Sequence, residues 1–479
     1  MTTELKKGLT FDDVLIEPRR SRVRSRKEVE TRTQFSRHID LNIPIVSANM
    51  ETVTEADMAI AVARDGGIGV IHRFMPIAEE VEQVSRVKRS ENLVIEHPYT
   101  ISPQQRLAEA REIMEARGVT SLLVTTEVGN LAGILTHRDI LFVEEDSRLV
   151  SDLMTPAAKV VTTHARVTVD EAKKLFLEHK VEKFPIVDDK GRLLGLITIA
   201  DIIKRARYPM STKDAKGRLR VAAAVGVRAD YLERAQALAD SGVDALVVDV
   251  AHGHSDQAID VAEQIRKKLG DIELVVGNVA TARAVRDLLE LDVDAIKVGI
   301  GPGSICVTRI VTGSGVPQFS AVQECSREAN RRGVPIIADG GIRSSGDLTK
   351  AIAAGASSAM LGSMLAGTEE SPGVMVMRGG LRHKVCWGSA SFRAQWAGRG
   401  DSQQDPEELA EVVPEGVEAV VPYKGLVSEV IHQLVGGLRS GISYAGGRNI
   451  KELQENASFI QVTPAGLKEG HTHDVELIK

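Results

Sequence analysis

Aromatic residues are scarce in this chain. Two Trp, five Tyr and nine Phe make up 3% of its 479 residues. With 43% hydrophobic content the core must be largely aliphatic, which suits parallel strands buried on both faces. Cysteine is also sparse. Cys306, Cys325 and Cys386 are an odd set, which excludes a disulfide scaffold and points to a reducing compartment. No two of them have the close spacing of a zinc site. No run approaches about 18 consecutive apolar residues, so no membrane span is expected. The opening MTTELKKGLTFDDV lacks the apolar stretch of a secretory signal, and a cytoplasmic protein is expected. Basic excess is missing too: 60 Lys and Arg stand against 66 Asp and Glu, a net charge of −6. Nucleic acid is therefore not an expected partner. One dense basic run, Arg19, Arg20, Arg22, Arg24, Arg26 and Lys27, reads as a solvated arm, with phosphate or RNA contact as the alternative.

The chain does contain recurring short apolar runs. They begin at Ile43, Gly67, Val221, Ala245, Leu274, Ala295, Pro335 and Ser358. Helical patterns such as Tyr231–Ser241, Asp256–Leu269, Ala282–Glu290 and Ser344–Ala354 lie between most of them. Strands that alternate with helices imply βαβ units and a parallel sheet. Eight such units fit a closed (β/α)8 TIM barrel of about 250 residues.

The gap between the second and third runs is too long for one helix, and it holds an internal repeat. LAEAREIM at Leu107 aligns with VDEAKKLF at Val169, and GILTHRDI at Gly133 with GLITIADI at Gly195, both 62 residues apart. Two copies of a β-α-β-β-α module inserted as one unit explain the match. The expected domains are a discontinuous barrel, 1–92 and 209–479, and an inserted module, 93–208. Each copy carries Thr-x-x-Asp after a strand: Thr136 and Asp139, then Thr198 and Asp201. The local reading is a helix N-cap followed by an acid in the first turn. The repeat also resembles a tandem CBS (Bateman) domain. That resemblance implies regulatory binding of a purine nucleotide, ATP or GTP, with the two Asp residues on the ribose hydroxyls.

The sixth run leads into GIGPGSICVTR, a glycine-rich loop at the C-terminal end of a barrel strand, the face where this fold keeps its active sites. Gly299, Gly301 and Gly303 permit close backbone approach, and Ser304 adds a hydroxyl for a phosphate. Cys306 lies among polar neighbours, Ser304, Thr308 and Arg309, rather than inside a strand or helix. A thiol so placed reads as a nucleophile. Cys325 and Cys386 read as structural.

GIGPGSICVTR, together with SANMETVTEADMA, DVAHGHS, GNVAT, ADGGIRSSGD and LGSMLAGTEESPG, resembles the IMP dehydrogenase/GMP reductase family. The likeness runs from LTFDDVLIEP at Leu9 to HTHDV near the C-terminus. It implies a cysteine that attacks C2 of a purine nucleotide, GMP or IMP, and a hydride exchanged with a nicotinamide cofactor. By position, Cys306 is the nucleophile and Thr308 handles protons. Ser304, Gly341, Gly362 and Ser363 match phosphate positions, and Asp339 the ribose carboxylate. Ser47, Asn49, Met50, Gly388 and Ser389 line the substrate pocket. Asp249, Asn278, Gly299 and Gly301 stand on the cofactor side. His252 and His254 read as loop-stabilising. A potassium ion is implied at the carbonyls of Gly301, Gly303 and Cys306, completed by Glu469, Gly470 and His471 of a neighbouring subunit. Homotetramers that pair as octamers are implied as well.

The family's two activities differ in what attacks or leaves C2. Its dehydrogenases resemble a plan in which an adjacent Arg-Tyr pair on a flap activates water. Here the flap lies between Trp387 and Glu415, and none of Tyr99, Tyr208, Tyr231, Tyr423 and Tyr444 falls in it. Arg393 and Arg399 are present without a Tyr beside them. Glu415 matches a base-contacting position and offers general acid–base chemistry through Thr308. These departures make an NADPH-dependent GMP reductase the expected activity. IMP dehydrogenase, with Arg393 or Arg399 acting alone, is the alternative, and a nucleotide sensor without turnover is a third reading.

Overall fold

Each of the eight anticipated runs supplies one strand of a closed parallel barrel. In chain order the elements are β1 (Ile45–Ser47), α1 (Ala56–Arg64), β2 (Ile68–Ile71), α2 (Ile77–Arg89), β3 (Val221–Val225) and α3 (Tyr231–Asp240). Then follow β4 (Ala245–Asp249), α4 (Asp256–Leu269), β5 (Glu273–Val279), α5 (Ala282–Leu289), β6 (Ala295–Val298) and α6 (Gln318–Ala329). The set ends with β7 (Ile336–Asp339), α7 (Ser345–Ala353), β8 (Ser358–Leu361) and α8 (Val427–Tyr444). The computed structural model describes residues 5–91, 95, 98–164, 169–199, 202–203, 207–397, 413–470 and 472. β8 pairs back onto β1, Leu361 opposite Ser47, and β2 pairs with β3, Val70 opposite Ala222, across the inserted segment.

Strand alternation sorts side chains into two cores. Val46, Val70, Ala222, Ala224, Ala245, Val247, Val275, Ala295 and Ile337 face the barrel interior. Ile45, Ile71, Ala223, Leu246, Val276 and Ile296 face the helix layer. Phe35, Ile39 and Leu41, from a hairpin preceding β1, join the interior core. Three of the barrel helices, α4, α5 and α7, start on hydroxyl caps. Ser255 accepts from the Ala258 N–H, Thr281 from Ala284 and Ser344 from Asp347. Each cap satisfies an amide that the first turn leaves unpaired.

The described residues divide into two compact units, one of 1–90, 210–215 and 219–479, the other of 91–209 and 216–218. The second repeats one pattern. Helices Leu107–Arg117 and Val169–His179, strands Ser121–Thr125 and Lys183–Val187, and strands Leu131–Thr136 and Leu193–Thr198 each start 62 residues apart. Each half has its own core, Leu107, Leu122 and Leu135 in one, Phe176, Phe184 and Ile197 in the other. Among the described residues no helix is long and apolar enough to cross a membrane.

Close strand contact makes one glycine sterically obligatory. A Cβ on Gly277 of β5 would sit 2.6 Å from the Lys297 Cβ and 2.7 Å from its carbonyl oxygen on β6. Backbone cannot yield there cheaply. Gly277→Ala is expected to cost about 1–3 kcal/mol and to lower the thermal midpoint of the barrel, read by circular dichroism or calorimetry. An unchanged midpoint would show that β5 and β6 separate freely.

Candidate active site

Cys306 lies in the loop that leaves β6, and three backbone contacts hold that loop. Cys306 and Gly416 form an antiparallel bridge, Val307 N–H donates to Glu415 O at 2.8 Å, and Val417 N–H to Ile305 O at 3.0 Å. Glu415 N–H in turn donates to Ala390 O at 3.0 Å. The two described ends of the segment around 398–412 are therefore tied to the cysteine loop. Gln318 braces it from beneath, its amide donating to Val298 O at 2.9 Å and Asp339 O at 3.1 Å. Arg309 donates to Ile300 O at 3.4 Å and Val316 O at 2.5 Å, so its guanidinium braces the loop.

The backbone contacts bring three side chains into line. The Cys306 thiol donates to Thr308 Oγ1 at 3.2 Å, and the Thr308 hydroxyl donates to Glu415 Oε2 at 2.7 Å. This is a continuous path for a proton from sulfur to carboxylate.

A second cluster fills the top of the barrel. Ala295 and Lys297 point the same way on β6, so the Lys297 side chain rises from the interior core and is 2% exposed. Its ammonium donates to Asp249 Oδ1 at 2.9 Å, Asp339 Oδ2 at 2.9 Å and Asn278 Oδ1. Asp249 and Asp339 stand at the ends of β4 and β7, two residues beyond the inward-facing Val247 and Ile337. Asn278 gets there by a different route. A register shift between Gly277 and Val279 interrupts the alternation of β5, and Asn278 Nδ2 reaches Gly299 O at 2.7 Å and Asp339 Oδ2 at 2.9 Å. Burial alone would lower the pKa of Lys297, but Asp249 and Asp339 outweigh it and hold the ammonium above its ordinary range. Burial likewise pushes Asp249 up, yet Lys297 and Arg73 prevail and keep its carboxyl below the usual value. Lys297 and Arg73 carry no signal in the sequence reading. A lysine two residues past an inward-facing alanine is the cue that alternation could have supplied.

These groups line two cavities that share Met50, Gly303 and Asp339. The first, about 380 Å³, is lined by Asn49, Arg73, Asp249, Asn278, Lys297, Gly299, Gly301, Cys306, Thr308, Gly388, Ser389 and Glu415, among others. The second, about 360 Å³, carries Ser304, Gly341, Gly362 and Ser363, with Gly340 and Gly341 both in the left-handed region, φ 90 and 78. The sequence-derived substrate and cofactor positions thus meet around Cys306, with one correction. Ser47 lies between the inward-facing Val46 and Ala48, so it faces the helix layer, fully buried, and lines neither cavity. Glu469 and Gly470 lie at an exposed helix end outside both cavities, and His471 lies outside the described residues. Arg393 stacks on the Trp387 ring at 4.2 Å, and Arg399 lies outside the described residues. His254 bonds Asp287 at 2.8 Å.

The "IMP dehydrogenase / GMP reductase domain" family matches residues 8–473. The chain belongs to the IMP dehydrogenase/GMP reductase family. Among its relatives are an inosine-5'-monophosphate dehydrogenase of Nitrosopumilus maritimus (strain SCM1), 50% identical over 99% of this chain and 100% of that one, and another of Aquifex aeolicus (strain VF5), 49% identical over 99% and 97%. Among solved structures, a cysteine-to-alanine variant of GMP reductase from Trypanosoma brucei with guanosine 5'-monophosphate is similar at 44% identity. It has a TM-score of 0.90 and covers 99% of both chains. The same reductase with guanosine 5'-triphosphate is 41% identical, with a TM-score of 0.80 over 96% of this chain and 99% of that one.

Within this family the expectation of a GMP reductase is overturned. Curated relatives at 47–50% identity over essentially the whole chain carry the dehydrogenase name. That expectation rested in part on a Tyr missing from the flap, and most of the flap, 398–412, lies outside the described residues. The Thr308–Glu415 pair serves proton transfer in either direction, so it does not favour reduction.

Thiol chemistry should single out Cys306. Cys325 and Cys386 are fully buried, and burial pushes the Cys325 thiol up to about 12 and raises that of Cys386. Brief iodoacetamide treatment is expected to add one label per chain, at Cys306, by peptide mass spectrometry. Labelling of Cys325 or Cys386 at a comparable rate would contradict this packing.

Proposed function

We propose that this protein oxidises inosine 5'-monophosphate at C2 to xanthosine 5'-monophosphate, with NAD as hydride acceptor. The unbroken Cys306–Thr308–Glu415 contact path on the cavity wall carries the covalent chemistry at C2, and the observation that favours oxidation is the name shared by relatives 47–50% identical over the whole chain. The full-length relatives named dehydrogenase support it. The sulfur of Cys306 bonds to C2 as its proton passes by way of Thr308 and Glu415 to N3 of the purine, which leaves the carboxylate free again. A bound nicotinamide would accept the hydride that C2 then gives up. Water next adds to C2 and yields one proton to Glu415 through Thr308. The C2–sulfur bond breaks, the thiolate takes that proton back, and the second water proton leaves to solvent with release of the product.

Positions within the cavities fit this order. Asp339 borders both, which suits a sugar between base and phosphate. Asp249, Asn278 and Arg73 line the first cavity only, where a nicotinamide ribose would lie. The carbonyls of Gly301, Gly303 and Cys306 are neutral, hard donors that suit potassium. Gly303 O accepts the Cys306 N–H at 3.2 Å and keeps a second lone pair. Assembly as tetramers belongs to the same reading.

Mixing the protein with IMP and NAD should raise absorbance at 340 nm and yield xanthosine monophosphate. Glu415→Gln and Thr308→Val should each lower kcat about a hundredfold with little change in KM. The double variant should be no worse than either, because both act on one proton path. Oxidation of NADPH with GMP and no signal with IMP would overturn the proposal.

The inserted unit is read as the regulatory part. A cavity of about 620 Å³ is lined by Thr136, Arg138, Asp139, Lys159, Lys180 and Lys183, a cationic surround suited to ATP or GTP. Thr136 N–H and its hydroxyl both donate to Asp139 Oδ2 at 2.7 Å, a capping box that fixes the carboxylate at the rim. Thr198 is not among the lining residues, and Asp201 lies outside the described residues. ATP or GTP should raise the unit's melting temperature in the wild type and less in Lys180→Ala/Lys159→Ala. Equal shifts in both would place the nucleotide elsewhere.

A further inference from the structure

Lys297 takes part in neither the proton path nor any expected ligand contact, yet it is the most deeply buried charge at the site. An ammonium has three N–H donors, and all three are used: by Asp249, Asn278 and Asp339. No donor is left for a substrate. Its acceptors come from three different strands, β4, β5 and β7, and only a closed barrel brings those strand ends around one axis. Asp339 uses Oδ2 for both Lys297 and Asn278, so Oδ1 is its oxygen available to a sugar hydroxyl. Asp249 uses Oδ1 for Lys297 and also accepts from Asn49.

We propose that Lys297 is a positioning residue whose ammonium aims Asp339 at the ribose of the bound nucleotide and Asp249 at the second ligand, so that the two half-sites share one charge. The inference deepens the purine-nucleotide reading and rests on it. Without the ammonium, the Asp249 and Asp339 carboxylates would lose the one cation they share, and a buried charge such as Asp249 is strongly disfavoured unless paired. One would rotate away or take up a proton. Either change alters the binding of both ligands, although Lys297 touches neither.

The titration consequence has a definite sign. Asp249 faces Lys297, Arg73 and Asn49; Asp339 faces Lys297 and Asn278. Removing Lys297 takes away the largest influence opposing burial at Asp249 and leaves only Arg73 and the Asn49 hydrogen bond, so its pKa rises. The acid limb of kcat/KM should move to higher pH.

The test uses Lys297→Met, Lys297→Arg, Asp249→Asn and Lys297→Met/Asp249→Asn in the full chain. Affinity for IMP, and for GMP should the wild type not bind IMP, is measured by calorimetry without dinucleotide. Thermal midpoints are measured alongside. Lys297→Met should weaken nucleotide binding about tenfold or more, the factor for one charge-assisted hydrogen bond. It should also raise the KM for NAD and shift the acid limb upward, and Lys297→Arg should recover part of each. The double variant removes the unpaired charge, so its midpoint should return toward that of Asp249→Asn, while its nucleotide affinity stays low. If Lys297→Met does not fold, the double variant against Asp249→Asn decides the matter alone. Affinity restored together with stability would reduce Lys297 to charge compensation and overturn the proposal. Wild-type affinity in Lys297→Met would do the same. A wild type that binds nucleotide but makes no xanthosine monophosphate would instead overturn the proposed reaction.

Discussion

Closure of the eight-stranded sheet is the constraint from which the rest of the barrel unit follows. A parallel sheet with no edges leaves every strand amide and carbonyl paired, and strand alternation then gives each residue one of two surroundings. Small residues such as Ala222, Ala224, Ala245 and Ala295 can occupy the interior because Phe35, Ile39 and Leu41 add bulk to the same core. Closure also depends on the β2–β3 contact, formed across the whole inserted segment, with Gly69 opposite Val221. A side chain at Gly69 would strike the Ala59 backbone and Cβ at 2.6 Å.

That geometry converts strand ends into a charge cluster. Asp249, Lys297 and Asp339 are far apart in the chain and adjacent at the C-terminal end of the barrel. Their contacts through Lys297 let the ammonium and Asp249 stay ionised while buried, with Asp339 half-buried beside them, which an unpaired group could not do. The proton path beside them is built differently. Cys306 and Glu415 lie on loops and Thr308 opens the short helix Thr308–Thr312, and backbone bridges between 305–307 and 415–417 set their spacing. Rigid strands therefore hold the carboxylates, while paired loop segments hold the nucleophile.

The two corrections have distinct causes. Ser47 sits within a motif that carries the family likeness, yet its neighbours Val46 and Ala48 claim the interior, so alternation turns it away from the cavity. The reductase expectation drew on an absent residue type in a segment whose geometry is not described, while the named relatives point to the dehydrogenase. Arg309, close to the cysteine in sequence, donates to Ile300 O and Val316 O and lines the second cavity.

Much of this protein was legible in the chain itself. Alternating apolar runs and helical stretches specify eight βα units, because strand burial on both faces demands them. A constant 62-residue offset identifies the duplicated insertion, because each copy must bury the same helix face. GIGPGSICVTR marks the candidate nucleophile by its company of glycines and hydroxyls. The pairing of Thr308 with Glu415 was legible only through the family resemblance, because a flap separates the two in the chain. Tertiary structure alone decided that Lys297 meets Asp249, Asn278 and Asp339 on three strands. The irregularity that lets Asn278 join them is a matter of register between β5 and β6. Register depends on the closed sheet as a whole, which local sequence does not encode.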